Sequence, residues 1–146
     1  MRARLLLSFV LFLCASTQIA AQEARSYSEG PVSVVTSVKI KDGQFNNYMD
    51  YLSKTYKPLM EAQKKAGNVV GYAVYGTRAG TPADPDMYLV VTYANMAAFD
   101  GLADRTEAVV KEVTGQSRAE ASAASIERSK MRDILGSEMI RELELK

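Results

Sequence analysis

The stretch Met87 to Tyr93 (MYLVVTY) constrains this chain more than any other. Read with period two, it puts Tyr88 and Val90 on one side and Met87, Leu89, Val91 and Tyr93 on the other. A strand here is therefore apolar on both faces. Val69 to Thr77 behaves the same way, with Val70, Tyr72 and Val74 opposite Val69, Ala73 and Tyr75. One layer of helices shields only one face of a sheet. At roughly 25 cal/mol per Å2 of apolar area, leaving Tyr72, Tyr88 and their neighbours in water would forgo several kcal/mol. The simplest cover for the second face is the same sheet of a second copy, so a homodimer through sheet faces is expected.

Other segments surround these two strands. Pro31 to Lys41 alternates, with Val32, Val34, Thr36, Val38 and Ile40 on one face, and Asp42-Gly43 ends it. From Gln44 to Ala66 the period switches. Phe45, Tyr48, Met49, Leu52, Tyr56, Leu59, Met60 and Gln63 recur at helical steps, and Gly67 is the stop. Pro58 should kink or split that helix near Lys57. Arg78 to Asp86 (RAGTPADPD) is a turn cluster. Asn95 can cap a helix with Met96, Phe99 and Leu102 on its inner side, and more helix is expected from Thr106 to Val113. Gly115 breaks it, and Ser117 starts another helix expected to end near Leu135. The Ala-rich EASAASIERSK within that helix is expected to dock late or exchange between subunits. Gly136-Ser137 then opens a last strand over Glu138 to Leu145, in which Met139, Arg141, Leu143 and Leu145 face one way. The order β-α-β-β-α-β predicts an α+β, ferredoxin-like fold with a four-stranded antiparallel sheet and an extended second helical region.

The start of the chain reads as a targeting segment. Met1-Arg2-Ala3-Arg4 is basic, Leu5 to Leu13 is apolar but for Ser8, and small or polar residues lead to Ala20-Ala21 before Gln22. A secretory signal peptide is expected over 1–21, followed by a flexible lead-in over 22–30 and one domain over 31–146. The apolar run is about half the ~20 residues of a spanning helix, and Leu13 before Cys14 does not make a lipobox. The expectation is an exported protein, periplasmic in a Gram-negative bacterium or extracellular, with no membrane anchor after cleavage. Removing Arg2 and Arg4 leaves 16 basic residues against 17 acidic ones, a charge of about −1. That gives no electrostatic footprint for nucleic acid. Cys14 leaves with the signal, so no disulfide holds the mature domain despite its oxidising destination.

Three stretches carry a family likeness: SVVTSVKIKDGQFNNYMDYL, the helix end KPLMEAQKKAG with VVGYAVYG after it, and DMYLVVTYANMAAFDGL. A strand ending in K-x-G-x-F leads into a tyrosine-bearing first helix, and a tyrosine-rich third strand leads into the second. In this the chain resembles the dimeric α/β-barrel superfamily, with its antibiotic-biosynthesis-type monooxygenases and its NIPSNAP-like and EthD-like proteins. The likeness covers about Val32 to Asp104 and the last strand, whereas Thr106 to Leu135 is longer than the family pattern. It implies two sheets pairing into a barrel, and a pocket between each sheet and its helices. Oxygenase members commonly set Asn, Trp, His, Tyr or Arg there, and haem-handling relatives hold iron through histidine. This chain has no Trp and no His, so the resemblance carries fold rather than reaction.

The missing histidine also excludes Ser-His-Asp and Cys-His relays and imidazole-held zinc or haem. With no GxGxxG, Walker loop or CxxC, no cofactor is expected. What remains is a set of candidate pocket residues: Asn46, Tyr48, Tyr51, Tyr72, Tyr75, Arg78, Tyr88 and Tyr93. Phenols can orient a small hydrophobic or aromatic ligand by stacking and hydrogen bonding. The plainer reading is preferred: tyrosine suits strands and half-buried helix faces. Asn46 and Asn47 read first as helix-entry polarity, Arg78 as solvated, and Asp84 with Asp86 as a solvated turn rather than a calcium loop. Lys54, Lys57, Lys64 and Lys65 with Glu61 read as a solvated helix face, Glu61 and Lys65 being four apart. Two functions remain. The preferred one is a non-catalytic, exported dimer that binds a small hydrophobic or aromatic molecule or serves as a structural module. The alternative is a cofactor-independent monooxygenase-like enzyme acting on an aromatic or quinol substrate.

Overall fold

The computed structural model describes residues 25–146, so the signal peptide expected over 1–21 lies outside the described residues. The first strand, β1, runs Tyr27–Ile40, longer at its start than the alternation from Pro31 implied. Tyr27 to Gly30 belong to this strand rather than to a flexible lead-in, because Tyr27 and Glu29 pair with Leu145 and Leu143 of the last strand. A bulge between Glu29 and Val32 accommodates Pro31, which has no N–H to give a ladder.

The first helical region is α1 (Phe45–Tyr51), a π-helical turn (Leu52–Tyr56) and α2 (Lys57–Lys65). The split falls at Lys57, where Pro58 required it, and Pro58 sits in the first turn of α2, a tolerated position. The π turn also has a packing consequence. Tyr48, Leu52, Tyr56 and Met60 are spaced by four, and on an α-helix such a row drifts by about 40° per step. The wider turn takes up the drift, so Tyr48, Leu52 and Met60 are all buried and Tyr56 is half-buried.

Strands β2 (Gly71–Gly76) and β3 (Met87–Tyr93) form a hairpin. Asn95 caps a 3-10 turn (Met96–Phe99) by accepting from the Ala98 N–H at 3.1 Å. The helix proper, α3 (Leu102–Thr114), begins after it and ends at Gly115, whose φ of 69° suits glycine. Ser117 then opens α4 (Arg118–Arg128) with a reciprocal capping box to Glu120.

The largest departure from the sequence reading comes next. The helix ends at Arg128, not near Leu135, and β4 runs Arg132–Leu145, six residues earlier than expected. Long-range pairing decides this. The edge of β1 offers backbone partners down to Ile40, and Arg132, Asp133 and Ile134 pair with Ile40, Lys39 and Val38. Gly136-Ser137 lies inside the strand, beside a bulge at the Ser37/Val38 step, rather than opening it.

The sheet order is β2-β3-β1-β4, with all neighbours antiparallel. This is the α+β ferredoxin-like arrangement. Val38, Tyr48, Leu52 and Met87 form the core between helices and sheet, with Ile40, Tyr51, Tyr56, Leu89 and Met131 packed against it. A buried polar network ties α2 to α3. The Asn68 amide donates to Gln63 Oε1 at 2.7 Å, the Gln63 amide to the Thr106 carbonyl at 3.1 Å, and Arg105 Nε to Asn68 Oδ1 at 3.2 Å.

The turn cluster is also organised rather than merely solvated. Asp86 accepts from the Ile40 N–H at 2.9 Å and from Lys39 Nζ at 3.0 Å, while Asp84 Oδ2 accepts from the Gly80 and Thr81 N–H groups. These bonds hold both carboxyls below the usual range, backbone N–H groups being the largest cause in each. No helix among the described residues is long and apolar enough to cross a membrane.

Candidate ligand-binding site

The ladder register sorts the tyrosines. Val38, Thr36, Val34 and Val32 pair with Met87, Leu89, Val91 and Tyr93, and Val74 and Tyr72 sit opposite Leu89 and Val91. These side chains share the helix-covered face with Val38 and Met87 of the core. Tyr75 and Tyr88 are direct cross-strand partners on the outer face, and Tyr75 is 56% exposed. Tyr72 and Tyr93 thus join Tyr48 and Tyr51 on the inner side. Asn46 is exposed in the first turn of α1, and Arg78 is exposed in the loop after β2. Asn47 bonds only to the nearby Gln44 side chain, at 2.9 Å.

Tyr56, brought inward by the π turn, joins the inner phenols. Burial, and after it the neighbouring Tyr48, Tyr51, Tyr72 and Tyr93 phenols, push its pKa up to about 12. Its ring meets Tyr72 edge-on, with centroids 5.9 Å apart. Tyr72 donates its hydroxyl to Glu61 Oε1 at 2.6 Å, so Glu61 serves this phenol rather than Lys65, and that bond raises the Tyr72 pKa. Tyr93 packs on Phe99 at 4.5 Å, and its pKa is raised by burial.

Tyr48 and Tyr51 stack at 5.9 Å with an angle of 17° between their planes. Arg132 lies over the Tyr48 ring at 5.5 Å and Arg128 over Tyr51 at 5.3 Å. Contacts therefore run Arg128, Tyr51, Tyr48, Arg132. Burial raises the Tyr48 pKa, and Arg132 pulls the other way less strongly.

Buried polar atoms almost always have partners. Here the hydroxyls of Tyr48 and Tyr56 and the Nε atoms of Arg128 and Arg132 are buried with none, and all four belong to this cluster. A cleft of about 640 Å3 opens between the first helical region and α4, lined by Tyr51, Thr55, Ala124, Arg128 and Met131 among others, so that Arg128 alone of these four residues lines it. On the other flank of the same helix, Leu52, Tyr56, Tyr72 and Val74 line a second hollow of about 210 Å3. A groove of about 330 Å3 between α3 and α4 is lined by Ala103, Gln116 and Ala121 among others, and holds none of the four unpartnered atoms.

Sequence reasoning missed the two arginines, because it placed both on an undifferentiated helix running to Leu135. The available signal was their four-residue spacing across a helix end. Tyr56 was legible as a helix-face residue, but its inward turn depends on the π segment.

No family model and no curated protein matches the chain. The fold has solved counterparts. The crystal structure of HapK from Hahella chejuensis is similar, with a TM-score of 0.51 and 12% identity, over 76% of this chain and 91% of that one. A dimeric ferredoxin-like protein from an uncultured marine organism gives a TM-score of 0.50 and 13% identity, over 82% of this chain and 98% of that one. The chain is a ferredoxin-like α+β protein with a tyrosine-arginine cluster beneath its helices.

Proposed function

We propose that this protein is an exported homodimer that binds a small hydrophobic or aromatic molecule in the cleft beside Tyr51, within the dimeric α/β-barrel superfamily its sequence resembles. The observation that carries the binding reading is the set of four buried, unpartnered polar atoms on Tyr48, Tyr56, Arg128 and Arg132. Each would cost about 1–3 kcal/mol left unsatisfied, and Arg128, the one of the four that lines the cleft, is where a ligand bearing acceptor atoms would relieve that cost. The Tyr48 and Tyr56 phenols are both protonated at neutral pH, as an ordinary tyrosine is, and burial takes both further from ionisation. They are donors there, not bases, which favours binding over oxygenase chemistry.

Pairing is supported by the outer sheet face. Among the described residues nothing covers it, and it presents Val35, Ala73, Tyr75, Tyr88, Val90 and Ile140, the last 49% exposed. A solved neighbour of the same fold is dimeric. Native mass spectrometry of protein purified without refolding tests the binding reading: a co-purified organic molecule, retained by the wild type and lost from Tyr51→Ala, is the expected result. Recovery of bare protein, with no thermal shift from any of a panel of planar aromatic compounds, would overturn it.

A further inference from the structure

The same cleft carries information about the charge of its occupant, an inference that rests on the small-molecule reading above. Several nearby cations have identifiable carboxylate partners. Lys130 pairs with Glu127 at 2.5 Å, Lys41 with Asp133 at 3.5 Å, and Lys54 with Asp50 at 2.6 Å. Arg118, on the far end of α4, is paired with Glu107. Arg128 and Arg132 have no carboxylate within ion-pair distance among the described residues. Their contacts are the π faces of Tyr51 and Tyr48, and their Nε–H groups are buried and unbonded.

A guanidinium is a planar fork of donors with no acceptor, and it matches the two oxygens of a carboxylate. Contact with a tyrosine ring, at 5.3 Å for Arg128 and 5.5 Å for Arg132, restrains each guanidinium before any ligand arrives. Tyr48 and Tyr56 lie behind the cleft lining and are protonated, so they bring it no negative charge. Glu127 is the one carboxylate lining the cleft, and Lys130 neutralises it. The cleft thus combines one uncompensated guanidinium in its lining, Arg128, with the Tyr51 ring as its aromatic wall, and a second guanidinium, Arg132, behind it over Tyr48. We propose that the cleft takes a planar aromatic anion, its carboxylate or phenolate oxygen held by Arg128, its ring against Tyr51, and Arg132 adding positive charge from behind.

The test titrates the purified dimer with 2-naphthoate and, separately, with 2-naphthamide, a neutral compound of the same shape, by calorimetry. A charged hydrogen bond contributes about 1.5–3 kcal/mol, so naphthoate should bind roughly 10- to 100-fold tighter. Arg128→Gln should erase most of that preference, and Arg132→Gln a smaller share of it. Arg128→Lys keeps charge without the fork and should fall between, and circular dichroism confirms that each variant is folded. Equal binding of both compounds, or a preference that survives both glutamine changes, overturns the anion assignment while leaving small-molecule binding intact. Failure of both compounds to bind at all overturns the small-molecule reading, and the anion assignment with it.

Discussion

Replacing Tyr56 by phenylalanine removes one hydroxyl and almost nothing else, which makes Tyr56→Phe the sharpest probe of the site. In most cores such a change costs stability, because a buried phenol is bonded and its partner is left bare. Here the hydroxyl has no partner to orphan. The lower end of the cost of an unsatisfied buried group, about 1 kcal/mol, should therefore be recovered. For a domain of this size that corresponds to a rise in Tm of about 3–6 °C. Urea unfolding of ligand-free protein measures it, with an unchanged m-value as the check that the folded state is preserved.

The pH dependence supplies a second readout on the same variant. The folded state holds the Tyr56 phenol up to about 12, above the ordinary value of 10.0. Its proton is bound more tightly in the folded chain than in the unfolded one. The associated stability is therefore fully present below pH 10 and is lost as pH rises toward 12. Wild-type stability should fall across that window, and Tyr56→Phe should flatten the fall, with Tyr48 contributing a remainder of the same sign. If Tyr56→Phe instead lowers ligand-free stability by 1 kcal/mol or so, the hydroxyl has a partner and the argument for an open ligand position fails.

Further outcomes follow from other parts of the molecule. Asn68→Ala should destabilise the domain by about 2 kcal/mol, because Gln63 and Arg105 lose their shared partner inside the α2–α3 contact; chemical denaturation checks this. Asp86→Asn should cost about 1 kcal/mol at neutral pH, and the difference from wild type should shrink as pH falls through the carboxylate range, since the folded-state pKa of Asp86 is lowered. Val90→Lys places a charge in the middle of the outer face, opposite Val35, and should turn a dimer into a monomer by light scattering while leaving the circular dichroism spectrum unchanged. Amino-terminal sequencing of protein recovered from the periplasm or medium should begin at Gln22.

The fold was legible wherever local pattern and tertiary demand agreed. Alternation in β1 and β3, the stop at Gly115 and the Ser117 cap were all visible, because each is a short-range preference that the final structure also uses. The Arg128 to Leu135 stretch was not. Its residues form helix acceptably on their own, and only the presence of β1, some ninety residues earlier, with unpaired backbone groups down to Ile40, turns Arg132 to Leu135 into strand.

That same long-range event builds the candidate site. Ending α4 at Arg128 and starting β4 at Arg132 leaves a turn that brings one guanidinium over Tyr51 and the other over Tyr48. Had the helix continued, the two arginines would have lain one turn apart on a single face, with no reason to flank a tyrosine stack. The π turn makes the complementary adjustment from the other side, rotating Tyr56 inward to join Tyr48. Both departures from regular helix converge on one cluster, and that cluster contains every buried side-chain polar atom without a partner among the described residues. Irregular backbone and unsatisfied donors each have an energetic cost, and a fold with no use for the cleft could lower both by a longer helix and a phenylalanine. Their coincidence at one place is the reason to look for the ligand there rather than in the groove between α3 and α4.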